Sequence, residues 1–408
     1  MSASIATRDW VPHRTQTQPW RQRTVRGPRA DRLLREVSVS LPPMIADLDL
    51  PMERSLATMA SASAGTLSHL DLVHGRTLAE LNHLQLRTEA IDSSKIEDVD
   101  ASLTDYGRAL LGVGANASAV SMASATGAMT RLIADAERTR RIRSEAVLEA
   151  HHDLFARHPD EAHRAGRYRT TQNWIGGSDY SPRNALYVPP PPATVPDYLA
   201  DLFVFANRQD IAPLAQAAIA HAQFESIHPF IDGNGRIGRA LIHAILRRRR
   251  ITRHLTIPIA SALVADRDRY FAALHDYRDG CAQTIVALLA SAASIAAAES
   301  WTTATQIVDV RARWGDLVGG TRPGTGLHRL LDLLTEEPIV NLDLIVERLG
   351  VDDGSAAELV DRLVGARVLR KAPRSRRSPV WLATDILDEI RDLSVRIQAS
   401  RLRTGTRR

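Results

Sequence analysis

Apolar residues recur at helical spacing through most of the chain, most clearly in Thr77-Leu-Ala-Glu-Leu-Asn-His-Leu-Gln-Leu-Arg-Thr-Glu-Ala-Ile91. The same spacing begins near Met52, after the punctuation of Leu41-Pro-Pro, and predicts an N-terminal helical domain over 38–140. Residues 1–37 carry scattered arginines (Arg8, Arg14, Arg21, Arg23, Arg26, Arg29) with little apolar periodicity, which predicts a mobile basic arm. The Ala-, Ser- and Gly-rich stretch 100–140 predicts a loop and a helix. A further helix from Ser144 to Arg157 should stop at His158-Pro159, because the residue before proline disfavours the helical backbone. Two β-prone runs, Gly166 to Gly177 and Ala185 to the prolines at 189–192, predict a hairpin with a long loop. Helices are then expected over 196–208, 214–227 and 235–248, and another opens at Asp266. Arg247-Arg-Arg-Arg250 reads as compensation of a helix C-terminus on a solvated face.

The apolar run Ile285–Ala298 is shorter than the ~20 residues that span a bilayer and predicts a buried helix. The central domain is therefore 141–300, followed by a linker over 301–324. From Thr325 three short helices and two β-prone pieces, Val368–Arg370 and Pro379–Leu382, predict a winged helix-turn-helix over 325–395 with Gly350 at its turn and a basic tail over 396–408. The fold class is mainly α.

Composition narrows the classes. At 408 residues the chain exceeds the roughly 250–300 at which a single core stops growing, so two or three domains are expected. One cysteine, Cys281, forms no internal disulfide, which fits a reducing compartment and predicts a cytoplasmic location. The N-terminus lacks a signal-peptide apolar core. A net charge of +5, nearly all the basic residues being arginine, does not by itself indicate nucleic acid.

The chemistry concentrates in His228-Pro-Phe230-Ile-Asp232-Gly233-Asn234-Gly235-Arg236-Ile237-Gly238-Arg239. Gly-Asn-Gly tolerates positive φ and lets successive backbone N–H groups curl into an anion-binding concavity, at which the following helix aims its N-terminus. Arg236 and Arg239, three apart, share a helix face and can grip neighbouring phosphates. Asp232 suits a magnesium ion shared with those phosphates. His228 has the unperturbed pKa of a general base. The stretch is neither a Walker loop nor a zinc-protease helix.

It resembles, at every defined position, the His-x-Phe-x-Asp/Glu-Gly-Asn-Gly-Arg-x-x-Arg signature of the Fic family, and the lead-in His221-Ala-Gln-Phe224-Glu225-Ser-Ile is similar too. The resemblance implies a Fic-type helical core with a β-hairpin flap and an enzyme that transfers AMP from ATP to a Ser, Thr or Tyr hydroxyl of a target protein. His228 would take the hydroxyl proton. Asp232 would hold Mg²⁺, and Gly233 to Gly235, the Asn234 side chain and Arg236 would stabilise the α-phosphate. Arg239 would fix the γ-phosphate, with Ile237 and Gly238 in the same segment, and Phe230 would anchor the loop. Tyr270, in Tyr270-Phe271-Ala-Ala-Leu274, resembles a tyrosine that lies near the adenine. The flap, with Trp174, Ile175, Gly176, Gly177, Tyr187 and Val188, would cover the nucleotide and hold the target by strand addition; a purely structural hairpin is the alternative.

Ser93-Ser-Lys-Ile-Glu97 has two readings. Ser94-x-x-Glu97 fits a capping box at a helix start. It also resembles the inhibitory helix of Fic proteins, which implies that Glu97 would pair with Arg239 in the place of a terminal phosphate, although Asp98 stands where that family usually has Gly or Asn. Adjacent His151 and His152 diverge by about 100° on a helix, which favours packing or surface roles over a metal site. In the last domain the expected recognition helix carries Glu358 and Asp361 behind Asp352 and Asp353, whereas the wing is basic (Lys371, Arg374, Arg376, Arg377). Protein docking or a homodimer therefore ranks above DNA binding. A DNA-binding regulator with a nucleotide-sensing core, or an enzyme that removes AMP, are the alternative functions. No membrane partner is expected.

Overall fold

The computed structural model describes residues 10–22, 26–75, 79–158, 161–373 and 379–405. The chain is mainly helical, as expected, but the described part of the expected arm is structured. Strand β1 (Arg14–Pro19) pairs antiparallel with β2 (Glu36–Leu41), from Arg14 opposite Leu41 to Pro19 opposite Glu36, around one helical turn, α1 (Arg29–Arg32). β1 shows no apolar pattern because almost all of it faces water, whereas β2 buries Val37 and Val39 at the alternating positions of a strand. Trp10 ties the hairpin down: its ring is buried 6.3 Å from that of Tyr277, and its backbone N–H donates to Gly280 O at 3.0 Å. Among the arginines of the expected arm, Arg8 and Arg23 lie outside the described residues.

Four helices follow: α2 (Arg54–His74), α3 (Ala79–Ile96), α4 (Leu103–Leu110) and α5 (Ala117–Thr139). Ser93 and Ser94 lie at the end of α3, not at a helix start, and the Ser94 hydroxyl donates back to Ala90 O at 2.8 Å. The capping-box reading is thereby overturned. Helix α6 (Ser144–Phe155) leads, past the flap, to α7 (Val195–Asn207), α8 (Pro213–Ile227) and α9 (Asn234–Arg248).

Helices α8 and α9 are the centre of the molecule. Leu214 to Ile227 and Asn234 to Arg248 are buried without a break, α8 being wrapped by α7, α9 and the long helix described next, and α9 by α5 and α8. Alanines at 215, 217, 218, 220 and 222 keep α8 slim enough for that approach. Of the arginine run at the end of α9, Arg250 is exposed and Arg249 half-buried, but the first two are not solvated. Arg247 and Arg248 are buried: Arg247 pairs with Glu137 at 2.8 Å, and Arg248 donates to Asn207 O and Arg208 O, satisfying carbonyls at the end of α7.

After α10 (Ile259–Val264) and α11 (Arg267–Arg278), helix α12 runs from Ala282 to Leu317, so most of the expected linker is continuous helix. Its length and composition would suffice to cross a membrane, but it is packed along α2, α8 and α11 and buries sixteen side chains. Then come α13 (Gly326–Glu336), β3 (Ile339–Val340), α14 (Leu342–Leu349), α15 (Asp353–Gly365), β4 (Arg370–Lys371) and β5 (Trp381–Leu382), the strands ordered β3-β5-β4. Gly350 ends α14 with φ +63°. Arg374, Arg376 and Arg377 lie outside the described residues. The expected basic tail as far as Gly405 is instead the end of α16 (Thr384–Gly405), whose Ile386, Ile390, Leu393 and Ile397 form a buried stripe at helical spacing, and which packs on α3, α10 and α12; residues 406–408 lie outside the described residues.

Candidate active site

The loop between α8 and α9 is held from inside. His228 ends α8 in the left-handed region, φ +49° and ψ 60°, and Gly233 precedes α9 at φ +79°. The Asn234 side chain accepts from Phe230 N at 2.8 Å and donates to Phe230 O at 2.9 Å, closing the turn. The Asn234 side chain thereby shapes the loop's own backbone, and its amide nitrogen keeps a second N–H beyond the one given to Phe230 O. Phe230 is fully buried and stacked on His151 at 3.7 Å and 9°. His151 accepts from Gly166 N at Nδ1 and donates from Nε2 to Asp232 O; burial holds it neutral, at about 4. His152, one step around the helix, faces outward.

Arg169 is a part of this machinery that pattern reading passed over. Buried beneath the loop, it donates to His228 O at 2.8 Å and to Pro190 O at 2.6 Å, joining the loop to the exit of the flap. The only available signal was an arginine inside an otherwise β-prone run.

The His228 ring is pushed down to about 4, by burial first and then by Arg169 and Arg278, so it is a neutral imidazole at neutral pH. Its Nδ1 lies 4.0 Å from Glu225 Oε2. Glu225, buried on α8, is raised to about 7, by burial and then by Glu97. Gly238 is required beside it: a Cβ there would come within 2.6 Å of Glu225 Oε1 and 3.0 Å of His221 Nδ1. Ile237, expected in the phosphate-binding run, is buried in the core beneath the loop.

Both arginines of the motif are buried. Arg236 donates to Ser121 Oγ on α5 at 2.7 Å and lies 3.6 Å from Asp232. Ser121 comes from the stretch that offered no sequence signal. Arg239 is gripped by the end of α3: its Nε donates to Ser93 Oγ, and its Nη2 donates to Ser93 O and to Glu97 Oε1, each at 2.8 Å. Burial opposes ionisation of Glu97, but Arg239 outweighs it and holds the carboxyl below its ordinary range. The carboxylate also rests on the N-terminus of α9, where a Cβ on Gly235 would fall 1.9 Å from Glu97 Oε1. An anion therefore already occupies the place where glycine, helix N-terminus and guanidinium converge. Asp98 turns away at φ +58° and pairs with Arg267 at 2.6 and 2.8 Å. Lys95 pairs with Asp92.

Tyr270 is buried, with its hydroxyl 2.9 Å from His221 Nε2 and 3.4 Å from Arg239. The flap is narrower than a regular hairpin, with a single bridge between Ile175 and Tyr187. Gly176 and Gly177 turn it at φ +70° and +76°. Tyr187 and Val188 face inward, the Tyr187 hydroxyl donating to Ser226 O at 2.6 Å. Trp174 stacks edge-on against Trp20 of the N-terminal hairpin at 5.7 Å.

Asp232, 60% exposed, is the carboxylate at the loop's mouth, and among the described residues no cluster of three or more His, Cys, Asp or Glu could hold a metal. A magnesium ion bound through one carboxylate and a substrate's phosphates needs no such cluster, so the donor set fits it.

A helical core that presents a neutral histidine beside an arginine-flanked helix N-terminus defines a class of anion-binding, base-bearing sites. Residues 141–246 match the Fic/DOC family, and the chain carries a domain of that family. The protein adenylyltransferase fic-1 of Caenorhabditis elegans is 35% identical over 114 residues, 27% of this chain and 20% of that protein. A probable protein adenylyltransferase of Aquifex aeolicus is 32% identical over 114 residues, 28% of this chain and 31% of that one. The chain thus spans between a fifth and a third of the length of these relatives. In fold it is similar to a Fic family protein from Desulfovibrio desulfuricans G20, with a TM-score of 0.52 and 21% identity over 81% of this chain and 97% of that one.

Proposed function

We propose that the protein is an adenylyltransferase that moves AMP from ATP to a hydroxyl of a target protein, and that Glu97 holds it in a restrained state. The observation that carries this reading is the Glu97 carboxylate seated on Arg239 and against Gly235, in the place a terminal phosphate would take. With that place filled, a nucleotide binds with its last phosphate displaced and its α-phosphate out of line, and such misplacement can cost ~10²-fold in rate.

In the released state the target hydroxyl oxygen attacks the α-phosphorus, the bond to the bridging oxygen breaks and pyrophosphate leaves. The hydroxyl proton passes to the neutral imidazole of His228, whose Nδ1 is turned toward Glu225, leaving Nε2 for the substrate. Backbone N–H groups of Gly233 to Gly235 and the Arg236 guanidinium stabilise the charge at the α-phosphate, and Arg239 fixes the γ-phosphate. Magnesium at Asp232 would supply charge neutralisation for the phosphates. The flap edge at Ile175 to Gly177 is the part left to meet an extended target segment, since Tyr187 and Val188 face the core.

The test uses the full chain with ATP labelled at the α- or the γ-phosphate. Covalent label on protein should come from the α-position, rise on the order of a hundredfold in Glu97→Gly and vanish in Glu97→Gly/His228→Ala. Label from the γ-position would mean phosphotransfer instead, and no label from Glu97→Gly would sink the proposal.

A further inference from the structure

A cavity of about 360 Å³, with no residue of the loop 228–239 in its lining, lies between α3, α4 and α5 on one side and β3, α14 and α16 on the other. Leu86, Leu103, Leu110, Leu344, Leu387 and Ile390 give it most of its apolar lining, and polar side chains, His83 among them, share the wall. One cation lies in its wall. Arg87, on α3 and only 8% exposed, donates to Glu336 O and pairs with the Glu337 carboxylate.

An apolar chamber with one buried guanidinium is the arrangement that recognises a small amphipathic acid: the body fills the chamber, and the carboxylate takes the fork of the arginine. Arg87 cannot lose its partner without replacement, because a buried unpaired charge is costly. Glu337 can leave at little cost, because its side chain is already 23% exposed and can turn into water. Exchanging one carboxylate for another leaves the buried charge paired throughout.

We propose that this cavity is a binding site for a small aromatic or branched aliphatic carboxylate of about a dozen non-hydrogen atoms, which displaces Glu337 from Arg87. The site joins α3, the helix that carries Ser93 and ends just before Glu97, to the C-terminal elements, and nothing in the loop chemistry uses it.

The experiment is calorimetric titration of the full chain with 4-phenylbutyrate. Wild type should bind it saturably. Glu337→Gln, which removes the internal competitor, should bind about tenfold more tightly. Leu344→Trp, which fills the chamber, should lose binding, with far-ultraviolet circular dichroism confirming that the variant folds. The uncharged 4-phenylbutyramide should bind about tenfold more weakly than the acid. No saturable binding to either wild type or Glu337→Gln would overturn the site. Binding indifferent to Leu344→Trp would move it elsewhere and overturn it equally, and equal affinity for acid and amide would overturn the exchange at Arg87.

Discussion

The loop 228–239 and the flap 174–188 face one another but are stabilised by different means. The loop lies between two wholly buried helices, with Phe230 in the core and Asn234, Arg169 and His151 satisfying its backbone. The flap has one bridge of its own and a separate small core of Val37, Val39 and Val188, two of whose three residues come from β2. Ser40 N donates to Val188 O at 2.8 Å, and Ser181 donates to the buried Asp31 at 2.6 Å. The base and the anion cradle are therefore packed into the core, whereas the surface above them is held by an element more than a hundred residues away in sequence.

If the contrast holds, the largest effect belongs to the loop anchor. Phe230→Ala removes a buried ring from between His151, Tyr168 and Phe224 and should cost about 3–5 kcal/mol in urea unfolding. A loss no larger than that of a surface substitution would mean that the loop is not part of the core.

The next effect is pH-dependent. Glu225 is raised to about 7 in the folded chain from an ordinary 4.5, so between those values the folded state holds a proton that the unfolded state has released. Its contribution is fully present below about pH 4.5 and is lost as pH rises through about 7. Glu225→Gln cannot ionise, so relative to wild type it should gain on the order of 1–3 kcal/mol at pH 8 compared with pH 5. Thermal unfolding at the two pH values reads this difference, and a difference of the opposite sign would refute the buried, protonated carboxyl.

Much of this was legible in sequence. The twelve-residue motif is local, and the residues that build an anion cradle must be neighbours, so their chemistry survives in linear order. The helices expected at 144–157, 196–208, 214–227, 235–248 and from Asp266 all form, whereas the short α10 (Ile259–Val264) was not expected. What escaped was set by distant partners. β1 reads as polar coil because it is exposed, and only its pairing with β2 makes it a strand. Arg247 and Arg248 look solvated until the carbonyls ending α7 come within reach, and Arg401 in the supposed tail is buried near Asp266. Ser94-x-x-Glu97 has the spacing of a cap, yet Ser94 lies in the last turn of α3, which runs to Ile96 with Ile91 and Ile96 continuing its buried face, and Glu97 follows directly after it.

A smaller effect tests the flap side of the comparison. Trp20→Ala removes one ring of the Trp20–Trp174 pair, and such pairs contribute about 0.5–1.5 kcal/mol beyond area. Global stability should fall by about that amount, while amide exchange should accelerate in 174–188 and remain unchanged in 228–239. Equal acceleration in both segments would show that flap and loop are one unit.

The smallest effect is expected at Asp98, beside the residue on which the proposed restraint depends. Glu97 and Asp98 are consecutive carboxylates with separate partners: Glu97 turns in to Arg239, and Asp98, exposed, turns out to Arg267. The outward turn places Asp98 at φ +58°, a backbone region that glycine adopts without strain. Asp98→Gly thus loses an exposed ion pair, which salt already screens, and gains backbone freedom at a position that needs it. Stability should change little, and α-phosphate labelling should stay within about twofold of wild type, because no contact of Asp98 reaches Arg239 or the loop. A rise comparable to that of Glu97→Gly would mean instead that the Asp98–Arg267 pair sets the path of the chain leaving α3, and that the clamp on Arg239 is held from outside the site.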